Sequence, residues 1–238
     1  MSQISPIIDS IVEVRYDSTL PIQALVGILF QEFGSHFERI DDLPILQLPI
    51  EVRMNDPELK KQPQYRLVGQ EFVVSVGEGL IAISAAIDRA TRYYQGWEIF
   101  GGFAFKILDF LSKNGSVTTY SKIDVRYINY FEKEGITEKV NLDIKVAGKS
   151  VSQNLTVFFE DQAGDYLTKV QMASKANVQG LFVALAGTVV DIGATYEKPE
   201  SNIGKVKEHI NKLHDTVEIK FFEIVKTEFI PKGVTKKV

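Results

Sequence analysis

Cysteine is absent from the 238 residues of this chain, which excludes disulfides, thiolate nucleophiles and cysteine-ligated metals. Histidine is scarce, with three in all. His36 stands alone, and His209 and His214 are spaced so that one helix would not turn both to the same face, as paired metal ligands require. His214-Asp215 would make an oriented base, but no nearby serine offers a nucleophile. There is no excess of positive charge: the net charge of −4 argues against broad nucleic-acid affinity. Long apolar runs are missing too. The longest apolar-rich stretch, Leu181 to Ile192, is interrupted by Gly187, Thr188 and Asp191 and falls short of the ~20 residues of a membrane helix. Met1 to Pro6 has no basic region and no apolar core, so no signal peptide is expected there. These absences lead us to expect a cytoplasmic protein without a membrane span, metal, cofactor or catalytic set.

What is present is a globular composition and an internal echo. Fifteen Phe, nine Tyr and abundant Val and Ile supply apolar area enough to offset the entropy of ordering the chain. Val12-Glu13-Val14-Arg15-Tyr16 returns as Ile123-Asp124-Val125-Arg126-Tyr127. Each copy opens a similar series of elements. In the first half, a strand from Ile7 to Tyr16 precedes a helix that starts at Pro21 and stops at Gly34. Ile45 to Arg53 reads as a strand with Pro49 marking an edge, and Asn55 to Pro63 as a loop. Strands over 64–68, 71–76 and 80–84 lead to a helix after Trp97, with Phe100, Phe103, Ala104, Ile107, Leu108 and Leu111 on its inner face.

Asn114-Gly115 ends that helix, and Thr118 to Phe131 opens the second half as a strand. Further strands are expected over 141–146, 150–159, 166–174 and 181–194, the last placed centrally because both its faces are apolar. Ser201-Asn202 caps a final helix with a stripe at Ile203, Val206, Ile210, Leu213, Val217, Phe221 and Ile224. This predicts an α+β fold: a pseudo-duplicated antiparallel sheet packed by long helices, of helix-grip or saddle-like form. The chain is read as a single domain, 1–238, with halves of about 1–115 and 116–238, because Lys113 to Ser116 is too short for a free linker.

Three segments carry a family resemblance: Pro6 to Tyr16, Tyr94-Gln95-Gly96-Trp97, and Arg126-Tyr127-Ile128-Asn129. They resemble a sporadically distributed, uncharacterised bacterial family. That family has an opening strand ending Glu-x-Arg-aromatic, an aromatic-x-Gly-Trp step before a helix, and an Arg-Tyr-Ile-Asn strand. The late strand ending Val190-Asp191-Ile192 before a long helix is similar as well. The resemblance carries over no catalytic residues. Its patchy distribution is similar to that of accessory genes on mobile elements, including defence and toxin–antitoxin pairs.

Two functions are weighed from these signals. The first is a non-enzymatic interaction protein, antitoxin-like or an adaptor, whose protein partner is encoded by a neighbouring gene. The C-terminal helix is a candidate homodimer seam in this reading. The second is a sensor of a small anion or nucleotide, held between sheet and helix by Arg15, Arg126, Tyr127 and Asn129, with Trp97, Tyr93 and Tyr94 lining the groove. Against this, Glu13-x-Arg15 and Asp124-x-Arg126 suit ion pairs on a solvated sheet face; Asp191 suits a turn or cap at the strand's end, with pairing to Arg126 as its functional alternative. The chain from Lys198 onward holds nine Lys against six acids, either a solvated helix face or a dock for an acidic partner or a phosphate backbone. Gly101 to Lys106 lacks the Gly-Lys-Ser/Thr ending of a phosphate loop, so its glycines read as small residues for close helix packing.

Overall fold

The two echoing segments lie side by side. β1 (Ile7–Ser18) and β6 (Val117–Glu132) are antiparallel neighbours, with Glu13 directly opposite Asp124. The computed structural model describes residues 5–60, 62–87, 93–132, 135–151, 155–176 and 187–230. In it these strands form the middle of a nine-stranded antiparallel sheet. Outward from β1 come β5 (Leu80–Ala85), β4 (Phe72–Gly77), β3 (Pro63–Val68) and β2 (Arg39–Asp42). Outward from β6 come β11 (Gly187–Tyr196), β10 (Tyr166–Ala176) and β9 (Thr156–Ala163). Each half thus pairs its last strand with its first. Each then closes with a long helix, α4 (Trp97–Lys113) or α6 (Ile203–Ile224). The α+β architecture expected from the sequence is the one that forms.

Strand alternation decides which face is covered. Val12, Val14, Val74, Ile81, Ile83, Ile123, Val125, Val190 and Ile192 point to one side and are buried. On that side they pack in one cluster with the apolar faces of α1 (Ile22–Phe33), α4 and α6. Each fully buried side chain of this kind stabilises the fold by about 1.5–3 kcal/mol. The other side carries Glu13, Arg15, Lys122, Asp124 and Arg126. The two outermost strands are protected differently: β2 is short and charged, and β9 runs through Glu160 and Asp161.

The helix ends follow local chemistry. Asn202 Oδ1 accepts from the backbone N–H groups of Gly204 (2.9 Å) and Lys205 (3.2 Å), capping α6. The α6 stripe lies against the sheet, with Val206, Ile210, Leu213 and Val217 buried. The face that the sequence offered for pairing with a copy is therefore used within the chain. The lysines of α6 are engaged as well: Lys207 with Asp109 at 2.8 Å, Lys220 with Asp161 at 3.3 Å, and Lys212 over the Tyr166 ring at 4.2 Å.

The sequence reading fails between β2 and β3. Residues 45–53 form no strand. Pro44–Gln47 is a 3-10 turn, and α2 (Ile50–Asn55) and α3 (Pro57–Lys60) follow. Pro44 and Pro49 sit where a helical turn begins, a position that tolerates a missing N–H. The edge of the sheet is taken instead by Arg39–Asp42, opposite Tyr65–Val68. In the second half, the strands expected over 141–146 and 150–159 are corrected too. β7 (Lys145–Val146) and β8 (Lys149–Ser150) make a small separate hairpin, turned by Ala147 and Gly148 at positive φ, and β9 begins only at Thr156. A last short helix, α5 (Ile136–Lys139), follows β6. Of the stretch read as a strand over 181–194, residues 181–186 lie outside the described residues.

His209 gives the fold a pH dependence. Its ring stacks on Tyr196 at 3.8 Å, and its Nδ1 lies 2.8 Å from the Tyr166 hydroxyl. Burial holds its pKa below the ordinary 6.5, against the smaller upward pull of Glu200 and Glu208. The unfolded chain then takes up a proton that the folded one resists. Stability is fully present above 6.5 and is lost as pH falls from there through the folded pKa. Thermal melts of His209→Gln should show a shallower fall than wild type in that window. Parallel profiles would remove His209 as the cause.

Candidate functional site

The pleat of β6 separates the residues singled out from the sequence. Tyr127 and Asn129 point to the helix-covered side and are buried. Arg126, between them and Asp124, points to the opposite side. Neighbours on a strand face opposite ways, so Arg126 and Tyr127 cannot line one concavity. The five expected ligand residues therefore split. Tyr127, Asn129 and Trp97 line one cavity between sheet and helices, while Arg15 and Arg126 lie on the uncovered face.

On that uncovered face the two arginines are occupied. Arg126 Nε donates to Asp191 Oδ1 at 2.8 Å, and its terminal nitrogen bonds the other carboxylate oxygen, a bidentate pair across β6 and β11. Arg15 meets Glu13 at 3.0 Å. Lys122 lies 3.3 Å from both Asp124 and Glu197. A wide cleft of about 870 Å³ beside Arg15 also holds Lys60 and Lys122, but Asp17, Glu78 and Glu197 line it too. Its charges are mixed and largely paired, the arrangement of a solvated sheet face.

The cavity on the covered side is smaller, about 430 Å³, and mostly apolar. Four segments build it, one of them Ser5, Pro6 and Ile7 leading into β1. β6 supplies Tyr127 and Asn129. The segment leading into α4 supplies Tyr94 and Trp97, turned by Gly96 at φ +91°, a conformation that side chains other than glycine's resist. Helix α6 supplies His214, Val217, Glu218 and Phe221, whose spacing of three and four puts them on one face.

The polar groups in it are linked. The hydroxyls of Tyr94 and Tyr127 are 3.0 Å apart, so one donates to the other. Tyr127 Oη is 3.2 Å from His214 Nδ1. The imidazole stacks on the Trp97 indole at 4.1 Å with planes 8° apart, and Trp97 Nε1 donates to Asn211 Oδ1 at 3.2 Å. Asn129 is fixed by its Nδ2, which donates to the Val190 carbonyl at 3.2 Å. Ser10, opposite Tyr127 on β1, is fully buried beside both phenols, but its Oγ makes no hydrogen bond of normal geometry.

Both phenols are harder to ionise than usual. Burial is the main cause for each, and the charge of Glu218 adds to it. At neutral pH they are therefore hydrogen-bond donors and not bases. His214, Asp215 and Glu218 form the one group among the described residues whose His and carboxylate ligand atoms all lie within 4.8 Å of one another.

No protein-family model matches this chain, and no curated protein is significantly similar to it. Among the described residues no helix is long and apolar enough to cross a membrane.

Sequence reasoning found Trp97, Tyr94, Tyr127 and Asn129 as groove residues, but it set His214 aside for want of a nucleophile, read Phe221 only as part of the apolar stripe of α6, and passed over Glu218 and Phe222. A signal for them existed. His214 and Glu218 are four apart beside the apolar stripe of α6, so they share a face with it. What the sequence could not show is that this end of α6 stands over Tyr127 and Trp97.

Proposed function

We propose that this chain is a non-enzymatic binding protein that senses a small organic molecule in the cavity between β6, α4 and α6. One observation carries this reading: a preformed, mainly apolar cavity of about 430 Å³ into which a few polar groups converge on a hydrogen-bonded chain. Ligand sites are typically concave, apolar and set with a small number of placed polar groups. In this proposal the ligand lies between sheet and helix and is not held by Arg15 or Arg126, neither of which lines this cavity. The test uses the chain's single tryptophan. A cavity ligand displaces solvent beside Trp97, so a metabolite pool from a bacterial lysate, fractionated by size, should contain a fraction that shifts Trp97 emission and raises the melting temperature. A pool with no such fraction would count against a sensor.

A second reading is favoured by α2. None of its residues is buried, and Ile50, Val52 and Met54 are 60%, 47% and 42% exposed. A helix that shows its apolar side chains to solvent suits a protein partner. We propose, as this second reading, that α2 docks the product of a neighbouring gene. That would suit an adaptor or antitoxin-like component of a bacterial defence or toxin–antitoxin pair, in line with the family resemblance. Co-expression with the neighbouring gene should recover a complex that is lost when Ile50, Val52 and Met54 are all changed to Ser.

A further inference from the structure

We infer that the cavity takes an uncharged, largely apolar molecule that carries an N–H or O–H group and donates it to Asn129 Oδ1. This rests on the ligand-binding reading above and names the ligand's class. Asn129 is 2% exposed and lines the cavity from β6, two residues beyond Tyr127. Its partner fixes which way the amide is turned. The Val190 carbonyl can only accept, so the atom 3.2 Å from it is Nδ2, and Oδ1 is left at the other end of the amide. Among the described residues Oδ1 has no hydrogen-bond partner. It is not sealed off as Ser10 Oγ is, and the open space that Asn129 borders is this cavity. Other polar side chains of the wall are partnered. Ser5 Oγ accepts from the Ile7 N–H at 3.2 Å, the Tyr94 and Tyr127 hydroxyls bond each other, Tyr127 meets His214, and Trp97 Nε1 donates to Asn211. Glu218 has interactions of its own and is given no part in holding the ligand.

A carbonyl oxygen in such a place is costly to leave bare. Water can bond it while the cavity is open to solvent. A ligand that displaces that water must return the hydrogen bond or lose affinity. An apolar molecule with a donor therefore fits better than the same molecule without one. A charged molecule fits worse. Among the described residues no Lys or Arg lines the cavity to hold an anion. A cation would give up its hydration for one amide oxygen in a wall that is mostly apolar, and that exchange is unfavourable.

The experiment titrates the full chain by calorimetry and follows its melting temperature. Two probes are indole and benzofuran, bicycles of one size and shape that differ in having N–H or O at one ring position. Benzylammonium and benzoate are the charged probes. Indole should bind about tenfold more tightly than benzofuran, and neither ion should bind as tightly as indole. Asn129→Leu should bring indole down to the affinity of benzofuran and leave benzofuran unchanged. If that variant does not fold, the ratio of indole to benzofuran on the wild-type chain decides alone. Equal affinities for the two would overturn the donor proposal while the cavity remains a ligand site. A preference for indole that persists in Asn129→Leu would overturn the assignment to Asn129 Oδ1. Tighter binding of either ion than of indole would overturn the uncharged class. If no probe gives heat or a shift in melting temperature, both the class and the cavity reading fall.

Discussion

Phe103→Ala should unfold at a markedly lower urea concentration than wild type, with a loss of about 4 kcal/mol. The ring is almost wholly buried and lies at the meeting point of α1, α4 and β4. It stacks on Phe72 at 3.9 Å with planes 8° apart, and meets Phe33, His36 and Phe37 edge-on at 6.1, 5.0 and 6.2 Å. Deleting it removes apolar burial, leaves a cavity and breaks several aromatic contacts at once, each worth about 0.5–1.5 kcal/mol beyond its area. For a chain of this length such a loss lowers the melting temperature by about 10 °C. Phe158→Ala is the control: that ring is 60% exposed on β9, and its removal should change stability by no more than about 0.5 kcal/mol. Equal effects of the two substitutions would show that α1 and α4 do not meet on β4 as described.

Phe103 also marks how far the sequence could be read. Its place on the inner face of α4 followed from spacing by three and four, and the same logic placed the α6 stripe and the α1 face. These are local statements, since a helix turns every 3.6 residues whatever surrounds it. That Phe33, His36 and Phe72 would close around Phe103 was not legible, because it depends on contacts distant in sequence. The same limit explains the error over residues 45–53. Ile45, Leu46 and Leu48 suggested a strand, but a strand exists through its partner. The partner, Tyr65–Val68, was already taken by Arg39–Asp42.

The candidate site was half legible for a related reason. The repeated Glu-x-Arg and Asp-x-Arg pairs drew attention to Arg15 and Arg126, and the strands that carry them do pair at the centre of the sheet. Chemistry then favoured arginine as an anion ligand. Pleating sends Arg126 away from Tyr127, and Asp191 holds it with two hydrogen bonds, the donor-for-Asp191 arrangement weighed from the sequence alone. The aromatic-Gly-Trp step was the better guide, because Gly96 fixes where Trp97 begins its helix whatever the rest of the chain does.

Gly101→Val and Gly102→Ala, one residue apart, should move in opposite directions. A Cβ on Gly101 would stand 2.8–3.0 Å from three atoms of the Trp97 ring, closer than packed atoms tolerate. That ring cannot simply swing aside, since its plane is stacked on His214 and its Nε1 is bonded to Asn211. Valine there should displace the indole, cost about 2–3 kcal/mol, and alter the emission of Trp97 by breaking the stack. Gly102 has nothing within 4 Å of where its Cβ would be. Alanine at that position gains helix propensity, so Gly102→Ala should stabilise the chain by about 0.5–1 kcal/mol and leave Trp97 emission unchanged. The pair separates close approach from backbone entropy at adjacent glycines that the sequence alone could not tell apart. Emission and stability unaltered in Gly101→Val would mean that Trp97 is not held between α4 and His214, and the cavity wall would have to be redrawn.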